Sequence, residues 1–207
     1  EKSNLRPIPA VLVLAGGLGS RLGGLTKHCP KPMLMLGDRP ILETIVDHCC
    51  EFGVRNFFFS VNYLKDQIIE YFGDGQRKGI EVSYLSEEMR LGTAGPLSLL
   101  VDSGHRGEIL VINGDVLTDI DLQALLEFHY ESDFELTVVG IPKFEQISYG
   151  VLMTENAKLL AWEEKPWSEY LIAGGIYVIS EKARALVPKN TYFDMPELVS
   201  LCLEKEI

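Results

Sequence analysis

The segment from Lys2 to Gly37 contains no aspartate and no glutamate, although the 207-residue chain carries 30 acids and a net charge of −11. Composition alone would place about five acids in those 36 residues, and five basic residues stand there instead. A chain this acidic lacks the broad basic face that nucleic-acid polymers or anionic membranes require, so neither is expected as a partner. Cysteine is scarce as well: Cys29, Cys49, Cys50 and Cys202 have no metal-ligand spacing, and the adjacent pair cannot readily bridge to itself. They read as free thiols of a reducing, cytoplasmic setting. No apolar run approaches the roughly 20 residues of a membrane span, and no signal-peptide pattern precedes the first apolar run. Linkers, repeats and low-complexity stretches are missing too.

What is present is a chain with 46% hydrophobic residues, enough to bury one full core. Runs rich in Val, Ile and Phe predict strands at Ala10 to Ala15, Asn56 to Asn62, Ile80 to Leu85, Glu108 to Asn113 and Phe134 to Ile141. Helical periodicity falls between them, near 40 to 52, 64 to 72, 95 to 101 and 121 to 131. In the first of these, His48 shares an apolar stripe with Ile41, Ile45, Cys49 and Phe52, which reads as a core-edge position. Alternation of this kind implies right-handed crossovers and an α/β fold: a mostly parallel, Rossmann-like sheet with helices on both faces. After Pro142 the pattern changes to a hairpin turning at Glu155 to Ala157, a buried strand in "YLIAGGIYVIS", and short helices near 181 to 187 and 195 to 205. The economical reading is one domain over 1–207 with a small mixed-strand addition.

The acid-free segment holds "VLVLAGGLGSRLGGLTKHCPKPML", a buried strand opening into a glycine-rich loop followed by Arg21, Lys27 and Lys31. Glycines let backbone N–H groups approach phosphate oxygens, and the cations supply charge, so the segment reads as a phosphate site, a corner in the chain needing neither Arg nor Lys. A Walker loop needs a Gly-Lys pair, which the chain lacks. A dinucleotide fingerprint needs Gly-x-Gly-x-x-Gly, but Gly17, Gly19 and Gly23 have the wrong last spacing, and the second strand ends in Asn62 rather than an acid. The stretch "LAGGLGSRLGGLTKHCPKPML" instead closely resembles the signature of the sugar-1-phosphate nucleotidyltransferases, the nucleotide-sugar pyrophosphorylases, in which Leu-x-Gly-Gly-x-Gly-x-Arg-Leu leads to Lys-Pro. The resemblance implies that a nucleoside triphosphate lies over Leu14, Ala15, Gly16, Gly17 and Gly19, and that a sugar 1-phosphate attacks its α-phosphorus to release pyrophosphate.

The resemblance extends along the chain. In "ILVINGDVL", Asp115 follows a buried β run, and the family's Gly-Asp aspartate coordinates Mg²⁺, the implied cofactor. Thr118 and Asp119 are placed to cap the next helix, leaving Asp115 free for the metal. Tyr149 and Gly150, Glu164 and Lys165 in "WEEKP", and Gly175 in "AGGIYV" match positions that line the family's sugar pocket, with the lysine on the sugar's phosphate and the glutamate on its hydroxyls. Three departures stand out. Ala173 and Gly174 occupy the place where many relatives have Asn, the glycine loop reads Arg-Leu-Gly-Gly rather than Arg-Leu-Arg-Pro, and no late aromatic-x-Asp-x-Gly segment supplies a second metal-binding aspartate. The expectation is therefore a domain lacking its C-terminal segment, with Asp194 capping or preceding the last helix.

"SEEMRLGTAGP" matches the family's base-recognition loop, which implies that Gly92 and Thr93 lie against the nucleobase and that Glu87 or Glu88 reads its edge. Guanine offers two donors that suit one carboxylate, and the motif most resembles guanylyltransferases of bacterial surface-sugar pathways acting on hexosamine, mannose or heptose 1-phosphates. The implied catalyst combines Arg21 on the departing pyrophosphate, Lys31 on the α-phosphate and Mg²⁺ on Asp115, with no protein nucleophile. Two other readings stay open: a catalytically silent nucleotide-sugar binder or regulatory relative, and transfer to another phosphate-bearing acceptor. Self-association into a homo-oligomer is open too.

Overall fold

The computed structural model describes residues 9 to 17 and 26 to 207. By compactness the chain divides into two units, Glu1–Thr137 with Gly175–Ile207, and Val138–Gly174. Among the described residues there is a six-stranded sheet of β1 (Val11–Leu14), β4 (Asn56–Val61), β5 (Glu81–Ser86), β6 (Ile109–Asn113), β7 (Leu136–Gln146) and β10 (Trp167–Ile179), in the order β5-β4-β1-β6-β10-β7. The first unit holds β1, β4, β5 and β6 whole, with Leu136–Thr137 of β7 and Gly175–Ile179 of β10; the rest of those two strands belongs to the second unit. A short ribbon of β2 (Met35–Leu36) and β3 (Arg39–Pro40) follows the basic segment.

β1 is central because it is apolar on both faces. Val11, Leu12 and Val13 are fully buried, as a strand flanked by parallel neighbours and covered above and below must be. It pairs in parallel with β4 (Leu14 opposite Ser60) and with β6 (Leu14 opposite Asn113), and β4 pairs in parallel with β5. The crossovers are α1 (Ile41–Glu51), α2 (Lys65–Phe72) and α3 (Leu97–Asp102), while α4 (Leu122–Glu131), α5 (Glu181–Arg184) and α6 (Met195–Glu204) complete the helices. One layer of core joins Leu12, Leu85, Leu97, Leu100, Ile179 and Leu198. The α1 stripe of Leu42, Ile45, Val46 and Cys49 is buried. His48 closes its edge, with Nε2 3.0 Å from the Ile120 carbonyl and its ring edge-on to Phe52.

Two sequence expectations change. α4 is capped by Asp121, whose carboxylate accepts from Ala124 N at 3.0 Å, not by Thr118 or Asp119. Thr118 instead accepts from Ile120 N at 3.1 Å, shaping the approach to the helix. β7 runs past Ile141 through Pro142 to Gln146. A proline breaks a central strand but is tolerated where the strand lies at the sheet edge, as β7 does.

The second unit contains β8 (Gly150–Glu155) and β9 (Lys158–Glu164), an antiparallel pair with Gly150 opposite Glu164. The turn falls where expected: Asn156 and Ala157 both take positive φ, 47° and 66°, the conformation that matches the twist of a two-residue hairpin. Among the described residues no helix is long and apolar enough to cross a membrane.

Candidate active site

Four parallel strands end side by side, so the residues just beyond them collect along one sheet edge. These are Ala15 to Gly17 after β1, Asn62 after β4, Glu87 after β5, and Gly114 and Asp115 after β6. Carboxyl edges of this kind are where open α/β sheets bind ligands. Ala15 N donates to Ser60 O at 2.9 Å and Gly114 N to Leu14 O at 3.0 Å, so the turns out of β1 and β6 are anchored by the ladder itself. Gly114 has to be glycine: a Cβ there would lie 2.7 Å from Leu14 O and 3.0 Å from Pro32 Cγ. That close approach brings the Lys-Pro turn, a short 3₁₀ segment at Lys31–Met33, onto the Gly-Asp turn. Lys31 Nζ consequently pairs with Asp115 Oδ2 across 84 residues of sequence. About a third of each side chain is exposed. The two catalytic candidates in the described residues therefore meet. Arg21 and Gly19 lie outside the described residues.

The approach to the Lys-Pro turn is held by two side chains that sequence reasoning missed. Tyr63 OH donates to Lys27 O and Gln67 Nε2 to His28 O, each at 2.9 Å. Tyr63 lies in the β4–α2 turn, where Leu64 takes φ 54°, and Gln67 in the first turn of α2. Among the described residues nothing lies within 4 Å of a Cβ built on Gly17, whereas a Cβ on Gly16 would meet Glu87 Oε1 at 2.7 Å. Next to the Gly-Asp turn, Asn113 Oδ1 is buried with no hydrogen-bond partner among the described residues. Gly175, φ 77°, lies against it: a Cβ would sit 2.7 Å from Asn113 Nδ2.

The expected base loop is tightly braced. Glu87 accepts from Ser60 Oγ with one oxygen and from Leu91 N, at 2.9 Å, with the other, and its carbonyl accepts from Asn62 Nδ2 at 3.0 Å. Glu88 is exposed. Gly92 takes φ 80°, and a Cβ on it would meet Phe193 O at 2.6 Å and Asp194 Oδ1 at 2.7 Å. Thr93 donates to Asp194 Oδ1 from both N, at 2.8 Å, and Oγ1, at 3.0 Å. Burial opposes ionisation of Asp194, but the hydrogen bonds from Tyr192 and Thr93 outweigh it and hold the carboxyl below its usual value. As expected, Asp194 also sits at the N-terminus of α6, where its N–H donates to Glu197 Oε2 at 2.7 Å.

In the second unit, four candidate sugar residues gather at the open end of the β8–β9 pair. Lys165, in the left-handed region at φ 50°, donates from N to Tyr149 O at 3.3 Å and accepts at its carbonyl from Gln146 Nε2 at 3.1 Å. Glu164 Oε2 accepts from Trp162 Nε1 at 3.2 Å, and the indole lies over Gly150, where no side chain would fit. Tyr149 is 77% exposed. Among the described residues no cluster of three or more His, Cys, Asp or Glu could hold a metal by itself.

Comparison with known proteins agrees with the resemblance read from the motifs. The family described as Nucleotidyl transferase matches residues 10–194. A D-glycero-alpha-D-manno-heptose 1-phosphate guanylyltransferase of Aneurinibacillus thermoaerophilus is 32% identical over 171 residues, covering 82% of this chain and 74% of its own. A mannose-1-phosphate guanylyltransferase catalytic subunit beta of Dictyostelium discoideum is 34% identical over 175 residues, again covering 82% of this chain but 49% of its own, so the chain spans about half the length of that relative. Among solved structures, HddC of Yersinia pseudotuberculosis complexed with GMP-PN superposes with a TM-score of 0.70 at 26% identity, over 90% of this chain and 83% of its own. With most of its length matched, and its mostly parallel α/β sheet shared with those structures, the chain belongs to the Nucleotidyl transferase family.

Proposed function

We propose that the protein transfers a nucleotidyl group from a nucleoside triphosphate, GTP by preference, to a sugar 1-phosphate. A phosphate oxygen of the sugar attacks the α-phosphorus, the bond to the bridging oxygen breaks, and pyrophosphate leaves. The attacking oxygen is already ionised near neutral pH, so no side chain has to remove a proton, and positioning with charge stabilisation suffices. The observation that carries this reading is the meeting of Lys31 and Asp115 beside the glycine turn out of β1. An ion pair exposed to about this degree contributes only about 0–1 kcal/mol, so Lys31 can leave Asp115 for an α-phosphate at little cost.

Asp115 then becomes free to hold Mg²⁺. A single carboxylate suits that ion, which takes one or two protein oxygens and completes its shell with substrate phosphates and water. Bound there, Mg²⁺ would neutralise charge on the triphosphate. Arg21 is assigned to the leaving pyrophosphate. Tyr149, Gly150, Glu164, Lys165 and Gly175 are assigned to the sugar phosphate, with Lys165 as the point charge. Leu14 to Gly17 and Gly19 are assigned to the triphosphate, and Gly92 and Thr93 to the base.

The guanylyltransferase relatives support GTP. Since both oxygens of Glu87 are engaged, the exposed Glu88 is the carboxylate we assign to the guanine edge. The four cysteines are free thiols, which suits a cytoplasmic setting. A matrix of five nucleoside triphosphates against a panel of sugar 1-phosphates, read by pyrophosphate release with Mg²⁺, tests the proposal. GTP should give the highest kcat/KM. Nucleotide binding with no pyrophosphate release from any pair would make the protein a binding relative instead.

A further inference from the structure

The loop from Leu91 to Gly95 does not hold its own shape. It has no helix or strand of its own before α3, and five of its polar groups are satisfied from a segment a hundred residues later. Phe193 N donates to Leu91 O at 2.8 Å, while Ala94 N and Gly95 N both donate to Phe193 O at 2.9 Å. Thr93 Oγ1 accepts from Met195 N at 2.8 Å and donates to Asp194 Oδ1, which also takes the Thr93 N–H. Tyr192 OH closes the arrangement with a 2.7 Å bond to Asp194 Oδ2. Gly92 packs against the same two residues so closely that a methyl group would not fit. Two consequences follow for the base loop. The Thr93 hydroxyl is committed on both its donor and acceptor sides, so its contribution to the nucleotide is the placement of main chain. And the loop is bracketed, by Glu87 on Leu91 N at one end and by Asp194 on Thr93 at the other.

Resting on the function proposed above, we infer that Asp194 is a positioning residue for the nucleotide: its carboxylate, steadied by Tyr192, holds Thr93 and so sets how tightly, and with what base preference, the triphosphate binds. Asp194 does not touch the reacting atoms. A loop that must be ordered at the moment of binding lowers apparent affinity by the fraction of time it is already in place. Loss of the brace therefore appears in nucleotide affinity and leaves the chemical step alone.

The test compares wild type, Asp194→Ala, Asp194→Asn and Tyr192→Phe. Equilibrium binding of GTP without acceptor is measured first by calorimetry, then kcat and the KM of each substrate by pyrophosphate release. Asp194→Ala should weaken GTP binding about tenfold or more, as loss of a charge-assisted contact does, and narrow the preference for GTP over UTP. Its kcat and its KM for the sugar 1-phosphate should stay within about threefold. Asp194→Asn keeps an oxygen for the two Thr93 donors and should recover most of the affinity, and Tyr192→Phe should lose about two- to threefold. If Asp194→Ala does not fold, these two variants carry the comparison. GTP affinity within twofold of wild type in every folded variant would overturn the inference, as would equal rises in both KM values. Failure of the wild type itself to bind any of the five triphosphates would overturn the reading of the site, and the inference with it.

Discussion

Replacing Gly114 with alanine asks whether the Gly-Asp turn is what delivers Asp115 to Lys31. The added Cβ would stand 2.7 Å from Leu14 O and 3.0 Å from Pro32 Cγ. To reach ordinary contact the neighbours would have to retreat by about 0.4–0.7 Å, a typical overpacking demand. Leu14 O cannot move alone, because it accepts from Gly114 N and belongs to a strand clamped between β4 and β6. Pro32 can move, and it carries Lys31 with it. Overpacking of this kind costs roughly 1–3 kcal/mol, which for a chain this size lowers Tm by about 2–12 °C. A misplacement near 1 Å can cost about 100-fold in rate, so the smaller shift expected here should lower kcat about tenfold. Thermal melts and pyrophosphate release at saturating substrates measure both effects. Leu203→Ala, on the exposed side of α6, is the control and should change stability by less than about 0.5 kcal/mol. Wild-type melting and turnover in Gly114→Ala would refute the reasoning, since they would mean that the contact between the two turns is loose.

Three further outcomes are expected. Asp115→Asn should lower turnover by roughly 100-fold or more, comparable with losing a preorganised charge stabiliser, and near-normal wild-type turnover in excess chelator would sink the metal assignment. Lys165→Ala should raise the KM of the sugar 1-phosphate by about tenfold or more, the scale of one charge-assisted hydrogen bond. Calorimetric GTP binding should survive that change, and its loss would show that Lys165 serves the nucleotide. Burial pushes the His129 imidazole below its usual value, and its Nδ1 lies 2.7 Å from Thr137 Oγ1. A depressed folded pKa means that this contribution is present above the unfolded value, near 6.5, and is lost as pH falls through the folded one. Unfolding free energy from urea titrations should therefore drop between about pH 7 and 5.5, and less steeply in His129→Gln. Identical slopes would locate the dependence elsewhere.

The motifs and the class of fold were legible in the chain because both are local. The Val11 to Leu14 run, the glycines after it, Lys31-Pro32 and Gly114-Asp115 are short-range patterns. The alternation of apolar strands with helical stripes needs only the pleat and the 3.6-residue turn to be read. Even the hairpin at Asn156 and Ala157 is set by two neighbouring residues. One small shift also had a local cause, Asp121 rather than Thr118 or Asp119 capping α4, whereas Pro142 was admitted within β7 because the strand order puts β7 at the sheet edge. Partnerships between distant segments were not legible. That Pro32 rests on Gly114, that Glu87 spends its carboxylate on Ser60 and Leu91, and that Asp194 braces Thr93 all depend on which strand lies beside which. The order β5-β4-β1-β6-β10-β7 decides that. Asp194 shows the difference most plainly. Its backbone role at the start of α6 follows from the residues just after it, whereas its carboxylate is claimed by a loop 101 residues away. Chain neighbours determine backbone conformation, but a side chain's partners are whatever the packed sheet sets within hydrogen-bond reach.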